Sequence, residues 1–282
     1  MPRPLLVFLH LGKTGGRTMD TVFRGTYGPA YVQAEAWRPT RPVGWGDGEF
    51  IIPTYDPADL RRLLRLCPWA RAVGGHSLTL WSRAHELRPV RYVAFLRDPV
   101  ARGISHYQYH VNTQAEPLDW DAWCAWREHH DHQTRYFDRD GDPERAFAAI
   151  GEHGVFVGLL ERFDASLLLL RKLVAPELRP AYRRRNVAEK RDVAQALRSD
   201  PARLEQIRRM YAADQVLYDR VRREIWPRYE EAYGPGLAAD AARLAAAPEA
   251  GFRHWHDRAG RALHRFWVAP AIRRAHRRYE QG

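Results

Sequence analysis

An apolar run, PLLVFLHL over residues 4–11, passes without a break into the glycine-rich turn GKTGGRT of residues 12–18. No other stretch limits the fold so strongly. A run that is continuous rather than alternating fits a strand buried on both faces, and such strands belong to parallel sheets covered by helices. TMDTVFRGTY, residues 18–27, predicts a helix directly after the turn. Strand, turn and helix N-terminus together point backbone N–H groups and the positive end of the helix dipole at one place, which is an anion site. Gly15 and Gly16 let the backbone approach a ligand closely. Lys13 adds a mobile positive charge suited to a phosphate or to a bridging oxygen that gains charge during reaction. The bland alternative is a tight turn with an incidental lysine. Against it stands scarcity, since Lys13, Lys172 and Lys190 are the only three lysines in a chain with 45 basic residues.

Further strand-like runs lie at ARAVGGHSL (70–78), VRYVAFL (90–96) and GVFVGLL (154–160). Helices are predicted over 56–65, from Pro99 to His110 with Asp98 as cap, around 119–131 and 143–150, over 163–174, and from Asp200 onward. Residues 38–55 are rich in Pro and Gly and read as a long loop. Strands alternating with helices predict an α/β protein with a P-loop-like three-layer fold, a central parallel sheet flanked by helices. The main domain is expected over 1–235, with a basic, aromatic-rich helical tail over 236–282.

The nearest general motif is the P-loop, G-x-x-x-x-G-K-[ST]. Gly12, Lys13 and Thr14 match its end, but its first glycine would fall on Val7, inside the strand. The loop is also short for wrapping a triphosphate. A second element narrows the reading. VAFLRDPVARGISHYQYH places Arg97 at a strand end and Ser105 two turns into the following helix. An arginine fork and a hydroxyl suit a second phosphate, although Arg97 could instead pair locally with Asp98. The two elements together indicate a ligand with two separate phosphate groups.

FLHLGKTGGRT resembles the hIPKTGGTS loop of the PAPS-dependent carbohydrate sulfotransferases, the group that includes the heparan sulfate 2-O- and 6-O-sulfotransferases. LRDPVARGISHYQY resembles their RDPvxRxxSxYxy element. HHDHQTRYF, VFVGLLERFDASLLLL and YAADQVLYDRV are similar, in order, to later segments of that family, so the resemblance runs over roughly residues 5–222. It implies that Lys13, Thr14, Gly15, Gly16, Arg17 and Thr18 hold the 5′-phosphosulfate of PAPS (3′-phosphoadenosine 5′-phosphosulfate). It implies that Arg97 and Ser105 hold the 3′-phosphate, and that a basic loop closes over the nucleotide, with Arg185 of RRRNVAEKR as the candidate. Two positions depart from the pattern: Gly12 stands where the family has proline, and Arg17 where it has a small hydroxyl residue, a contact that Thr18 could supply.

Sulfuryl transfer needs in-line positioning, charge stabilisation and a base for the acceptor hydroxyl, and by this logic no metal. His76 of GGHSL follows a predicted strand, where ligands of parallel sheets gather. The resemblance implies a base in this segment, and a histidine near its ordinary pKa of about 6.5 can take the proton at neutral pH. Glu35 and Asp47 are the fallback bases. His129, His130 and His132 invite a metal reading, but they spread around a helix, and a solvated helix or turn leading to Gln133 and Arg135 fits better. Gln133 and Arg135 are secondary candidates for substrate contact.

The net charge of +11 suits an anionic ligand. Cys67 and Cys124 form no CxxC pair, no leader or membrane span is legible, and a cytoplasmic protein is expected, with a carbohydrate or glycolipid acceptor. In the tail, Phe252, Trp255, Ala259, Leu263, Phe266 and Trp267 recur at helical spacing between arginines. They would either pack on the domain or rest on an anionic membrane, which would set the protein at the inner membrane surface. Two other classes stay open: a nucleotide-dependent kinase with a P-loop-like site, and a non-catalytic basic protein that binds a polyanion. The second does not explain the paired loops, so no nucleic-acid partner is expected.

Overall fold

The computed structural model describes residues 3–34, 43–45, 48–50, 54–114, 116–126, 130–183, 192–272 and 274. Strand β1 (Leu5–Leu9) is buried at every residue. It leads into helix α1 (Gly16–Tyr27), then a 3₁₀ turn and the short strand β2 (Tyr31–Gln33). Strands β3 (Val43–Trp45) and β4 (Gly48–Phe50) form an antiparallel hairpin. Helix α2 (Pro57–Leu66) starts at Asp56, whose side chain accepts from the Asp59 N–H. Strands β5 (Ala72–Gly75) and β6 (Val90–Leu96) follow, and β6 feeds α3 (Pro99–Thr113) through the Asp98 cap. After α4 (Trp120–Ala125) and α5 (Pro143–Glu152) comes the last strand, β7 (Phe156–Leu159). The rest is helical: α6 (Phe163–Leu173), α7 (Asp192–Arg198), α8 (Pro201–Met210), α9 (Ala212–Arg220), α10 (Trp226–Tyr233), α11 (Leu237–Ala246) and α12 (His254–Leu263).

Five strands form one all-parallel sheet in the order β2-β5-β1-β6-β7, flanked by helices, which is the expected α/β architecture. β1 sits at the centre, paired with β5 on one side and β6 on the other. The chain goes from β1 to the edge strand β2, returns to β5 beside β1, then crosses over β1 to β6 and continues outward to β7. The carboxyl end of β1 is therefore the switch point, where ligands of open α/β sheets bind. Tyr107, Trp120, Trp123 and Tyr211 build a second, smaller core that holds α3 against α4, α7 and α8.

Several expectations change. The loop expected over 38–55 contains the β3–β4 hairpin. Of the helix expected around 119–131, the described part is α4, capped by Asp119 and closed by the extended backbone of Trp126, and residues 127–129 lie outside the described residues. A 3₁₀ turn follows at Thr134–Tyr136. α7 precedes the expected helical start at Asp200, which serves instead as the cap of α8. The C-terminal residues do form helices, and they lie against the body: α11 on α6, and α12 on α1. Among the described residues no helix is long and apolar enough to cross a membrane.

Candidate functional site

Three candidate residues are each the first residue past a strand. His10 follows β1, His76 follows β5 and Arg97 follows β6, and the strands are adjacent and in register, with Leu9 opposite both Gly75 and Ala94. Parallel pairing thus brings distant sequence positions to one sheet edge.

The turn after β1 is held in an unusual shape. Lys13 is a non-glycine residue at φ +68° and Gly15 sits at φ +87°. A left-handed L-residue costs about 1 kcal/mol or more, so something must hold Lys13 there. Arg97 does part of this, its Nη1 donating to the Lys13 carbonyl at 3.2 Å. Thr14 is fully buried and its hydroxyl donates to the Leu11 carbonyl at 2.9 Å. That hydroxyl is engaged within the turn. Arg17 is exposed on the first turn of α1, with Thr18 beside it.

Gly16 is required by a neighbour rather than by its dihedral angles. A Cβ there would lie 1.7 Å from Nε2 of His10. The His10 ring is buried and stacks on His76 with centroids 3.9 Å apart. Burial, and then the Arg17 charge, bring the His10 pKa down to about 4, so His10 is neutral at pH 7. The absence of a side chain at Gly16 is what lets this ring fill the space beneath the turn.

Nδ1 of His76 lies 2.7 Å from the His10 carbonyl oxygen. A carbonyl only accepts, so Nδ1 carries the hydrogen and Nε2 keeps its lone pair. Tyr136 fixes the other side of this corner by donating its hydroxyl to the His76 carbonyl at 2.9 Å. His76 keeps an exposed face. The surrounding protein, followed by His10, pushes its pKa below the ordinary histidine value, with Asp20 working against them. The acid limit expected near 6.5 for this imidazole is therefore moved downward. Asp20 is itself buried on α1, accepting from Tyr31 at 2.6 Å and from Gln33 at 3.1 Å.

Cations dominate the other half of the site. Nζ of Lys13 rests 4.2 Å above the Tyr109 ring. Ser105 lies one turn before Tyr109 and so on the same face of α3. Burial, then the charges of Arg97 and Arg17, bring the Lys13 pKa down to about 8. Burial lowers Arg97 as well; Glu161 opposes this, while Arg102 and Arg198 add to it. Lys13, Arg17, Arg97 and Arg198 form a concentration of positive charge that an anion would relieve, whereas Arg102 is buried and faces Asp214 at 4.0 Å.

Behind these residues lies a supporting layer in which only Gln133 was a candidate from the sequence, as a secondary substrate contact. Gln133 grips the backbone of Arg97 twice: Oε1 accepts from its N–H and Nε2 donates to its carbonyl, both at 2.9 Å. Gln133 is fully buried, so it positions Arg97 instead of touching substrate. Asp214 holds the turn that carries Gln133, accepting from the N–H of Gln133 at 3.1 Å and from the N–H and hydroxyl of Thr134 at 2.7 and 2.8 Å. Glu161, just past β7, accepts from the Asp98 N–H and from the Tyr218 hydroxyl, each at 2.9 Å. The segments that carry Gln133, Glu161 and Asp214 thus meet as one scaffold behind the Arg97–Asp98 corner. Their residues lie about 80 apart in sequence in the Gln133–Asp214 case, and only the resemblance signals them.

His132 lies in the turn that leads to Gln133 and Arg135, one of the two expected settings, and not on a solvated helix. It is buried, packs edge-on to Tyr136, and its Nε2 lies close to Gly12. Gly12 itself is not demanded by space, since a Cβ there would meet His132 at 3.5 Å, an ordinary contact. Trp81 donates its indole N–H to the Arg135 carbonyl. Glu35, Asp47, His129 and Arg185 lie outside the described residues. Among the described residues no three His, Cys, Asp or Glu side chains are grouped to hold a metal. A cleft of 580 Å³ between the end of α6 and α11, lined by Arg171, Arg179 and Arg243 among others, includes none of the residues above. The chain matches no family model and no curated protein sequence.

Proposed function

We propose that the chain is a PAPS-dependent sulfotransferase acting on a hydroxyl of a carbohydrate or glycolipid. The observation that carries this reading is the convergence at one sheet edge: the Lys13 turn, Arg97 bonded to it, and His76 beside it. Two cationic centres on neighbouring strands suit a ligand with two phosphates, and an imidazole with a free Nε2 suits proton removal.

In this reading the 5′-phosphate of the donor lies on the N–H groups of the turn, and the 3′-phosphate on Arg97 and Ser105. The acceptor hydroxyl attacks sulfur in line. The new O–S bond forms as the bond from sulfur to the bridging oxygen breaks, and adenosine 3′,5′-bisphosphate departs. Nε2 of His76 takes the hydroxyl proton. Lys13 meets the charge that grows on the bridging oxygen, where a positioned donor has its largest effect. Gln133, Asp214 and Glu161 act through Arg97 and are positioning residues.

The test is transfer from PAPS to a panel of glycans and glycolipids, read by mass. The expected result is an acceptor gaining one sulfuryl group with the wild-type chain, and at least about 100-fold less product with His76→Ala. Equal product from both proteins would remove His76 from the chemistry. No product with any acceptor, together with phosphate transfer from ATP, would replace the reading with a kinase.

A further inference from the structure

Three of the chain's largest exposed apolar side chains lie within thirteen residues of one another. Trp255, Phe266 and Trp267 are 67, 73 and 60% exposed. They lie on α12 and on the π turn His264–Val268 that continues it. At about 100° per residue, Trp255, Ala262 and Phe266 fall on one stripe. The slower rotation of a π turn brings Trp267 toward the same stripe.

The opposite face is fully engaged. Phe252 is buried where α1 carries Gly25, and Nε of Arg24 meets Asp257 at 2.8 Å. Val268, Ala269 and Ile272 are buried as well. The outward direction of the aromatic stripe is thus fixed by the packing of the inner face.

Charge flanks the stripe. Arg258, Arg261 and Arg265 are exposed along one side of it. Residues 251–282 hold eight arginines against two acidic residues, Asp257 and Glu280, a net +6 of the chain's +11. Asp257 is already neutralised by Arg24 and Arg261.

We propose that α12 and its π turn form a peripheral docking surface for an anionic lipid bilayer. Aromatic side chains on one face of a basic helix enter the headgroup boundary while the flanking arginines meet anionic headgroups. A second copy of the chain fits this surface less well. Two-fold pairing through it would oppose like arginines, and one short helix offers far less area than the roughly 1,200 Å² or more of a stable interface. The stripe is also convex, whereas a single nucleic-acid strand is held in a groove. α12 packs on the far half of α1, whose first residue, Gly16, belongs to the Lys13 turn. Arg24 is eight residues from Gly16, about 12 Å along the helix. The docking proposal does not depend on the sulfotransferase reading.

The test is co-sedimentation of the full chain with vesicles of phosphatidylcholine alone and of phosphatidylcholine with phosphatidylglycerol. The wild-type chain is expected to sediment with the anionic vesicles and much less with the neutral ones. The variant Trp255→Ser, Phe266→Ser, Trp267→Ser should lower that partition roughly tenfold or more, with an unchanged circular dichroism spectrum. Brominated acyl chains should quench part of the tryptophan fluorescence of the wild-type chain, which gives a readout that needs no variant. Failure of the wild-type chain to bind anionic vesicles would overturn the proposal. So would binding that survives the triple substitution with no quenching, which would mean simple charge adsorption. A wild-type dimer without lipid, dissociated by the same substitutions, would assign the face to a second copy. Loss of oligonucleotide binding in place of vesicle binding would assign it to nucleic acid.

Discussion

Nη1 of Arg97 donates to the carbonyl of Lys13 at 3.2 Å, across 84 residues of sequence. The guanidinium that would recognise one phosphate therefore also braces the turn that would hold the other. Arg97→Ala should remove both functions. A charge-assisted hydrogen bond is worth about 1.5–3 kcal/mol, or roughly 10- to 100-fold in affinity. The preference for adenosine 3′,5′-bisphosphate over adenosine 5′-phosphate should collapse by that factor, and donor KM should rise. Arg97→Ala with its preference intact would place the 3′-phosphate elsewhere.

Lys13 separates stability from activity. Its φ of +68° is a conformation that glycine adopts without penalty. Lys13→Gly should be more stable than Lys13→Ala by about 1 kcal/mol in chemical denaturation. Both should lose turnover by about 100- to 1000-fold, as expected for removal of a donor that acts in the transition state. Equal stabilities would show that the turn relaxes when the lysine is replaced. Near-normal turnover would leave Lys13 as an anchor only.

Gly16 and His10 should behave as a coupled pair. Gly16→Ala drives a methyl group into the His10 ring and should cost about 1–3 kcal/mol, the range for overpacking. In the double variant with His10→Ala much of that cost should disappear, giving a favourable interaction energy in a double-mutant cycle. Additive losses would contradict the steric origin of Gly16.

Acid should weaken the fold through the histidine stack. His10 and His76 both have folded pKa values below the ordinary 6.5, His10 at about 4. Between those values the unfolded chain binds more protons. Stability from His10 is therefore complete above about pH 6.5 and lost as the pH falls through about 4, on the order of 3 kcal/mol in total. Asp131 works in the opposite sense. Burial, and then Asp214, raise it to about 6, so its contribution favours the fold at low pH and fades as the pH rises toward that value. His10→Gln should flatten the loss below pH 6.5 in urea titrations. An unchanged slope would mean that the stack is not what titrates.

Much of the architecture was legible because its signal is local. β1 and β7 are continuous apolar runs, β6 is one from Tyr92 to Leu96, and the caps Asp56, Asp98 and Asp200 sit where the chain turns into helices. Tyr31–Gln33 was not legible as a strand: it is three residues long and draws its pairing from β5. The β3–β4 hairpin was hidden by the Pro and Gly content around it. At the site, Lys13, His76 and Arg97 could be found as residues past strand ends. His10 could not, because it reads as a position inside an apolar run, and only the fold shows it stacked under the turn. Gln133, Asp214 and Glu161 look like ordinary polar residues until partners far away in sequence meet them. A buried hydrogen-bond scaffold has no periodicity to read.

The most direct measurement of the two-phosphate site is calorimetric titration of the whole chain without metal, using adenosine 3′,5′-bisphosphate, adenosine 5′-phosphate and ATP with magnesium. The expected order places the bisphosphate first, with roughly 10-fold or greater loss when the 3′-phosphate is absent. Its affinity should fall as the pH rises through about 8, where Lys13 gives up its proton. Binding of ATP with magnesium and none of the bisphosphate would contradict the site as described.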